Sequence, residues 1–279
     1  MISLNRFIIL FLLMVSLLAC NNSLFYYPSK IIISDPKIEN ILYNDIIFES
    51  NDGIKLHGWH FPAKSKISKG IIIQFHGNAE NITSHYSQLV WLINYDYDLF
   101  VFDYRGYGIS EGQVNNKGFI HDAISSYQYV ISNLYKKNQK IILYGQSIGG
   151  TILLKALSDL PQKKLISAIF IESSFLSYKK IAKEKIRNIC NVCNIFNIFI
   201  ELFVSDKYSP KKFLDDFNSS EIPFVIIHSA NDKVVPIKFG IEIFLYLRNR
   251  DFWMYTGEHL SFTETIKNQK KIIDYINTL

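Results

Sequence analysis

Gly145-Gln146-Ser147-Ile148-Gly149 sets a serine between two glycines. An apolar run, Ile141-Ile142-Leu143-Tyr144, precedes it. A helix-like run, Thr151-Ile152-Leu153-Leu154-Lys155-Ala156-Leu157, follows. Between a strand and a helix, Gly-x-Ser-x-Gly forms a turn so sharp that both flanking positions must be small. The turn lifts the serine Oγ clear of the sheet and sets it at a helix N-terminus, where backbone N–H groups favour a developing anion. A chain with 13 glycines can carry the bare pattern by chance. The reading therefore rests on context: a serine nucleophile needs a base, and the base needs a group that orients it.

Both partners follow downstream, in the order nucleophile, acid, base. Ile222-Pro223-Phe224-Val225-Ile226-Ile227-His228 reads as a buried strand, and Asp232 sits in the turn after it. Asp251-Phe252-Trp253-Met254-Tyr255 reads as the next strand, with His259 in the loop beyond. His259 is placed to take the Ser147 proton and Asp232 to hold the imidazole tautomer. The other histidines have plainer readings. His57 and His60 belong to an alternating strand, His85 and His121 to helix-like segments, and His228 to the end of a strand as a buried hydrogen-bonded residue. Glu172, after the strand Ser167-Ala168-Ile169-Phe170-Ile171, is a rival acid. It reads more simply as a brace. Asn231-Asp232-Lys233-Val234-Val235-Pro236 leads into a helix with an early proline, which favours Asp232.

The strand Ile71-Ile72-Ile73-Gln74-Phe75 is followed by His76-Gly77-Asn78-Ala79-Glu80-Asn81. Chemistry of this kind takes one N–H from the residue after the nucleophile and one from such an early loop. The expected oxyanion donors are the backbone N–H groups of Ile148 and Asn78, with Gly77 allowing close approach. Their side chains are expected to be less constrained than the backbone. Asp103 and Arg105 are expected to pair and pin the next loop beneath the site.

Phe75-His76-Gly77-Asn78-Ala79-Glu80-Asn81, Asp103-Tyr104-Arg105-Gly106-Tyr107-Gly108-Ile109-Ser110-Glu111-Gly112 and Gly145-Gln146-Ser147-Ile148-Gly149-Gly150 together resemble the α/β-hydrolase superfamily. Within it they look like serine-aminopeptidase-like or monoacylglycerol-lipase-like hydrolases, and like the small bacterial and eukaryotic proteins carrying His-Gly-Asn-Ala. Some eukaryotic members of that set remove acyl groups from cysteine thioesters. The resemblance spans about residues 41–279. It implies an α/β fold: a mostly parallel central sheet, helices on both faces and a small helical lid. It is specific for fold and triad and much less so for substrate. One departure is Ser229, where relatives often carry glycine; it makes that turn less ideal.

The N-terminus is equally informative. Arg6 is followed by an apolar stretch, residues 7–19, broken only by Ser16. That is the length of a signal-peptide core and short for a bilayer span. It ends Leu17-Leu18-Ala19-Cys20, which resembles a bacterial lipobox whose cysteine is lipidated. An ordinary cleaved signal peptide or a short anchor is the alternative. Either way the chain is expected to be exported, and Asn21 points to an outer membrane or periplasmic face. The expected organisation is a signal peptide (1–19), a tether (20–40) and one α/β domain (41–279) with a lid insertion at about 175–217.

Net charge is +5, from 30 basic and 25 acidic residues, with the lysines scattered. No basic, aromatic-interleaved patch suggests nucleic acid. No phosphate loop, dinucleotide fingerprint or metal motif is present, so neither cofactor nor metal is expected. The lid sequence between residues 189 and 203 is unusually apolar. It either shapes an acyl pocket or fills the gap beneath short helices. Cys190 and Cys193, spaced C-x-x-C on this lid, could close a disulfide or simply pack. The reading is a serine hydrolase of carboxylic esters or thioesters, working on a small acyl substrate at a membrane reached through Cys20. Aminopeptidase-type action and a non-catalytic binding lipoprotein are the alternatives.

Overall fold

The computed structural model describes residues 26–189, 195–217 and 221–279. Eight strands form one sheet: β1 (Asn44–Glu49), β2 (Lys55–Phe61), β3 (Gly70–Phe75), β4 (Tyr97–Phe102), β5 (Lys140–Gln146), β6 (Ile166–Glu172), β7 (Phe224–Ser229) and β8 (Arg250–Tyr255). The order across the sheet is β1-β2-β4-β3-β5-β6-β7-β8. β2 runs antiparallel to β1 and β4, and the remaining pairs are parallel. The central strands are near-continuous apolar runs because both of their faces are covered. Ile71 and Ile73 point into one core cluster and Ile72 into the other, as the two-residue period of a strand requires.

The α-helices are α1 (Ile82–His85), α2 (Asn116–Tyr129), α3 (Ile148–Ala156), α4 (Tyr178–Ile189), α5 (Ile195–Phe203), α6 (Leu214–Phe217), α7 (Lys238–Tyr246) and α8 (Ile266–Thr278). Phe119, Leu153 and Ile243 from α2, α3 and α7 pack in the first cluster. Ile272, Ile273 and Ile276 of α8 pack in the second. Asn115 caps α2 by accepting from Gly118 N–H, and Thr265 caps α8. The sheet is thus sandwiched between helices, and the loops after β3, β5, β7 and β8 meet at one end. The architecture is the expected α/β one, a mostly parallel sheet with helices on both faces.

Helices α4, α5 and α6 fall between β6 and β7, inside the segment read as an insertion. Ile200 and Val204 are buried in the first cluster, while Ile198 and Leu202 face outward. Cys190 and Cys193 lie outside the described residues, as do Cys20 and the whole apolar N-terminal stretch. Among the described residues, no helix is long and apolar enough to cross a membrane.

The residues read as a tether pack onto the domain from Tyr26 onward. Tyr26 is buried and bonds Asn116 and the Tyr178 hydroxyl. Ser29 N–H donates to the Glu80 carbonyl at 3.2 Å, and Gly108 N–H donates to the Ser29 carbonyl at 2.9 Å. The Asn81 amide donates to the carbonyls of Ser29 and Ile31. One pairing differs from the sequence reading: Arg105 does not pair with Asp103. Its guanidinium bonds Asp122 at 2.7 Å and Asp52 at 2.8 Å. Asp103 instead accepts the Ile82 N–H at 2.9 Å and faces His57 and His76. Proximity along a loop suggested the pair. The fully buried Asp122 on α2, whose carboxyl burial pushes upward, takes the cation because a buried charge needs a partner.

Candidate active site

β5 delivers Ser147 into a conformation that few side chains adopt, φ +51° and ψ −122°. The strain persists because the surroundings over-determine it. A Cβ at Gly145 would come within 2.6 Å of Gly150 Cα, and one at Gly149 within 2.2 Å of the carbonyl oxygens of Phe75 and His76. The glycine after the serine therefore lets α3 seat directly against the end of β3. Ile148 is the first residue of α3, so its N–H has no acceptor within the helix.

The loop after β3 brings Asn78 alongside. Ala79 and Glu80 both sit in the left-handed region, at φ +65° and +54°. The Asn78 side chain is more constrained than expected: its Oδ1 accepts from Tyr27 N–H at 3.0 Å and from Tyr107 hydroxyl at 2.9 Å. Within the protein a Cβ at Gly77 would meet Leu260 Cδ1 at 3.3 Å and Ser147 Cβ at 3.5 Å. His76 is fully buried and donates from Nδ1 to the Gly77 carbonyl. Burial, together with nearby His85, keeps it neutral.

Asp232 and His259 meet across the loops after β7 and β8. His259 Nδ1–H donates to Asp232 Oδ2 at 2.7 Å. Asp232 Oδ1 accepts the N–H groups of Val234 and Val235, both at 2.8 Å. Burial works against the Asp232 charge, but the hydrogen bond and charge of His259 outweigh it and hold the carboxyl below its ordinary value. Because Nδ1 carries the proton bonded to Asp232, Nε2 is the ring nitrogen left to accept a proton. His228 is buried, donates from Nε2 to the Val235 carbonyl at 2.7 Å and lies 3.7 Å from Asp232 Oδ2 behind the His259 bond.

Two bracing residues complete the arrangement. Glu172 accepts from the Tyr144 hydroxyl, the Gln146 amide and Phe262 N–H, while its carbonyl accepts Ser147 N–H at 2.8 Å. Burial raises its carboxyl above the ordinary value despite these donors. Ser229 was flagged as a departure at a glycine position, yet its φ is not in the left-handed region. Its hydroxyl donates to the Gly257 carbonyl and accepts Asn231 N–H, tying the Asp232 turn to the His259 loop. The sequence marked Ser229 as unusual but carried no signal for its partner, which lies on another strand's loop.

Ser147, Ile148, Asn78 and His259 all line one cavity of about 370 Å³. Its walls are otherwise mainly apolar, from Phe175, Ile181, Ala182, Ile186, Val235 and Leu260, with Tyr27 at one side. Helix α4 supplies the outer wall. Lys185, on the same helix, is a further lining residue that the sequence did not single out. A neighbouring open depression shares Val234 and His259 with the cavity and is bordered by Lys233 and Glu258. Among the described residues, no group of three or more His, Cys, Asp or Glu side chains could hold a metal ion.

A family model described as serine aminopeptidase, S33, matches residues 66–199, a little under half the chain. Uncharacterized protein YfhR of Salmonella typhimurium is 29% identical over 249 residues, covering 85% of this chain and 80% of that protein. Alpha/beta hydrolase domain-containing protein WAV2 of Arabidopsis thaliana is 27% identical over 228 residues, covering 79% of this chain and 73% of that protein. Among solved structures, the esterase Pf2001 of Pyrococcus furiosus matches with a TM-score of 0.69 at 20% identity, covering 90% of this chain and 95% of that one.

Proposed function

We propose that the chain is a hydrolase of the α/β-hydrolase superfamily and that it cleaves carboxylic ester or thioester bonds through an acyl-enzyme on Ser147. Nε2 of His259 takes the Ser147 proton as Oγ attacks the carbonyl carbon. The backbone N–H groups of Ile148 and Asn78 receive the oxyanion. Asp232 holds the imidazole and stabilises its charged form. The imidazolium then protonates the leaving group, and water, activated by the same histidine, releases the acid. The observation that carries this reading is the shared cavity: the strained serine and a histidine already bonded to a carboxylate open into one mostly apolar space.

The cavity wall also bears on substrate class. An aminopeptidase must recognise a free ammonium, which calls for carboxylates. Among the described residues no Asp or Glu lines the cavity, and Glu258 stands exposed in the neighbouring depression. Apolar walls favour an acyl chain. Export and anchoring through Cys20 belong to the same reading, because a lipid-anchored hydrolase would meet acyl substrates at a surface.

The test is hydrolysis of p-nitrophenyl esters, acetate through dodecanoate, by the full chain and by Ser147→Ala, with fluorophosphonate labelling of both. Loss of about 10³-fold or more in kcat together with loss of labelling is expected for the variant. Equal rates in the two proteins would overturn the assignment. Acyl-chain labelling in cells, abolished by Cys20→Ser, tests the anchor.

A further inference from the structure

We propose that the substrate carries an anionic group, a carboxylate or phosphate, at the end remote from the scissile carbonyl, and that Lys185 recognises it. This rests on the ester or thioester reading above and narrows its substrate class.

The inference comes from the unequal treatment of the basic residues on α4. Lys179 and Lys183 pair with Glu201, Lys180 with Glu242, and Arg187 with Glu184. Lys185 has no carboxylate partner among the described side chains, and it alone of these cations lines the cavity. Ile181, Ala182, Lys185 and Ile186 fall on one helical face, since positions four apart lie one above the other. Ile181 and Ala182 are buried, whereas one turn on Lys185 is exposed and Ile186 half-buried. The lysine Cα lies about 6 Å further along the axis than that of Ile181, and the side chain there is exposed while still lining the cavity. The cavity therefore runs from Ser147, past apolar walls, to a cation at its mouth.

Apolar walls with an exposed cation fit one kind of ligand. An anion held deep among Phe175, Ile181 and Val235 would lose its hydration with nothing in return. At the rim it keeps water on one side and meets an ammonium on the other. A neutral long acyl chain would gain nothing from Lys185, and a cationic substrate would be repelled.

The anion could sit on the acyl side or on the leaving group, and two ester pairs separate these sources. The acyl pair is p-nitrophenyl hydrogen adipate against p-nitrophenyl hexanoate. The leaving-group pair is 4-carboxyphenyl hexanoate against 4-carbamoylphenyl hexanoate. The readout is the ratio of kcat/KM, charged over neutral, within each protein, so any general loss in a variant cancels. The wild-type chain should favour the charged member of one pair by roughly 10-fold, mostly through KM, with the preference weakening as salt is added. Lys185→Met should bring the ratio to about one, Lys185→Glu should invert it, and Lys185→Arg should keep it. Lys233→Met, at the neighbouring depression, should leave the ratio as in wild type.

A wild-type ratio at or below one in both pairs would overturn the proposal. So would a charged preference that survives Lys185→Met or disappears in Lys233→Met. Failure of the hydrolase reading looks different: no ester of either charge would turn over and fluorophosphonate would not label Ser147. Labelling with turnover but no charge preference would overturn this proposal and leave the hydrolase reading standing.

Discussion

The Glu172 carboxylate accepts a hydrogen bond from Phe262 N–H at 3.2 Å, so the strand beside the nucleophile turn and the loop carrying His259 share one buried group. The same residue's carbonyl accepts Ser147 N–H at 2.8 Å. Glu172 touches no reacting atom and acts as a positioning residue. Glu172→Gln presents an amide donor to a site that already supplies three donors. It should cost about 1–3 kcal/mol of stability. It should also lower kcat by roughly 10-fold with little change in KM, as expected for loss of transition-state alignment. Urea denaturation and steady-state kinetics check both; unchanged kcat in a destabilised variant would reduce Glu172 to a purely structural role.

Glu172 and Asp232 should carry opposite pH signatures. Burial raises Glu172 above its ordinary value of 4.5, so its contribution is present below that pH and lost as pH climbs through the raised value. Asp232 is held below its ordinary value of 3.8, so its contribution is present above 3.8 and lost as pH falls through the depressed value. The stability penalty of Glu172→Gln should therefore be largest in acid and shrink as pH rises. That of Asp232→Asn should be small in acid and grow until it levels off above about pH 5. Urea midpoints of the three proteins across this range measure both trends, and parallel curves for the two variants would contradict the assignment.

Gly149 and Gly77 should respond unequally to alanine. At Gly149 the added Cβ would lie 2.2 Å from two backbone oxygens, which cannot retreat without moving β3 away from α3. Gly149→Ala should cost about 3 kcal/mol or more, or prevent folding. At Gly77 the nearest atom is the tip of the Leu260 side chain at 3.3 Å. Gly77→Ala should cost less than about 1 kcal/mol, within the range of an ordinary tight contact. Thermal melts of the two variants decide; equal losses would mean that the Gly77 loop is as tightly seated as the serine turn.

Ser229→Ala removes the hydroxyl that ties Asn231 and Gly257 together. It should cost roughly 0.5–1.5 kcal/mol for the lost bonds, with the Gly257 carbonyl left to find water. If the tie aligns Asp232 with His259, kcat should fall several-fold and recover partly in Ser229→Thr. An unaffected kcat in Ser229→Ala would show that the Asp232–His259 bond holds itself.

Local sequence determined a good deal about this protein, because the signals are local. Uninterrupted apolar runs mark strands covered on both faces, and the short polar loops after β3, β5, β7 and β8 are where Asn78, Ser147, Asp232 and His259 are found. The glycines flanking Ser147 announce a tight turn through their own backbone freedom. Tertiary structure decided the pairings between distant segments. Arg105 chose Asp122 and Asp52 over nearby Asp103 because a buried carboxylate on α2 lay within reach. The residues from Tyr26 onward pack against the domain, and Tyr27 joins the cavity wall, since their carbonyls and N–H groups found partners in the loops bearing Asn78 and Gly108. Ser229 became a tie because Gly257 happens to face it. Lys185 became a cavity residue because the packing of α4 turned that face, and not the neighbouring one, toward Ser147. Such partners lie tens of residues apart, and no periodicity in the chain records which of several like-charged or hydrogen-bonding groups will meet once the sheet has closed.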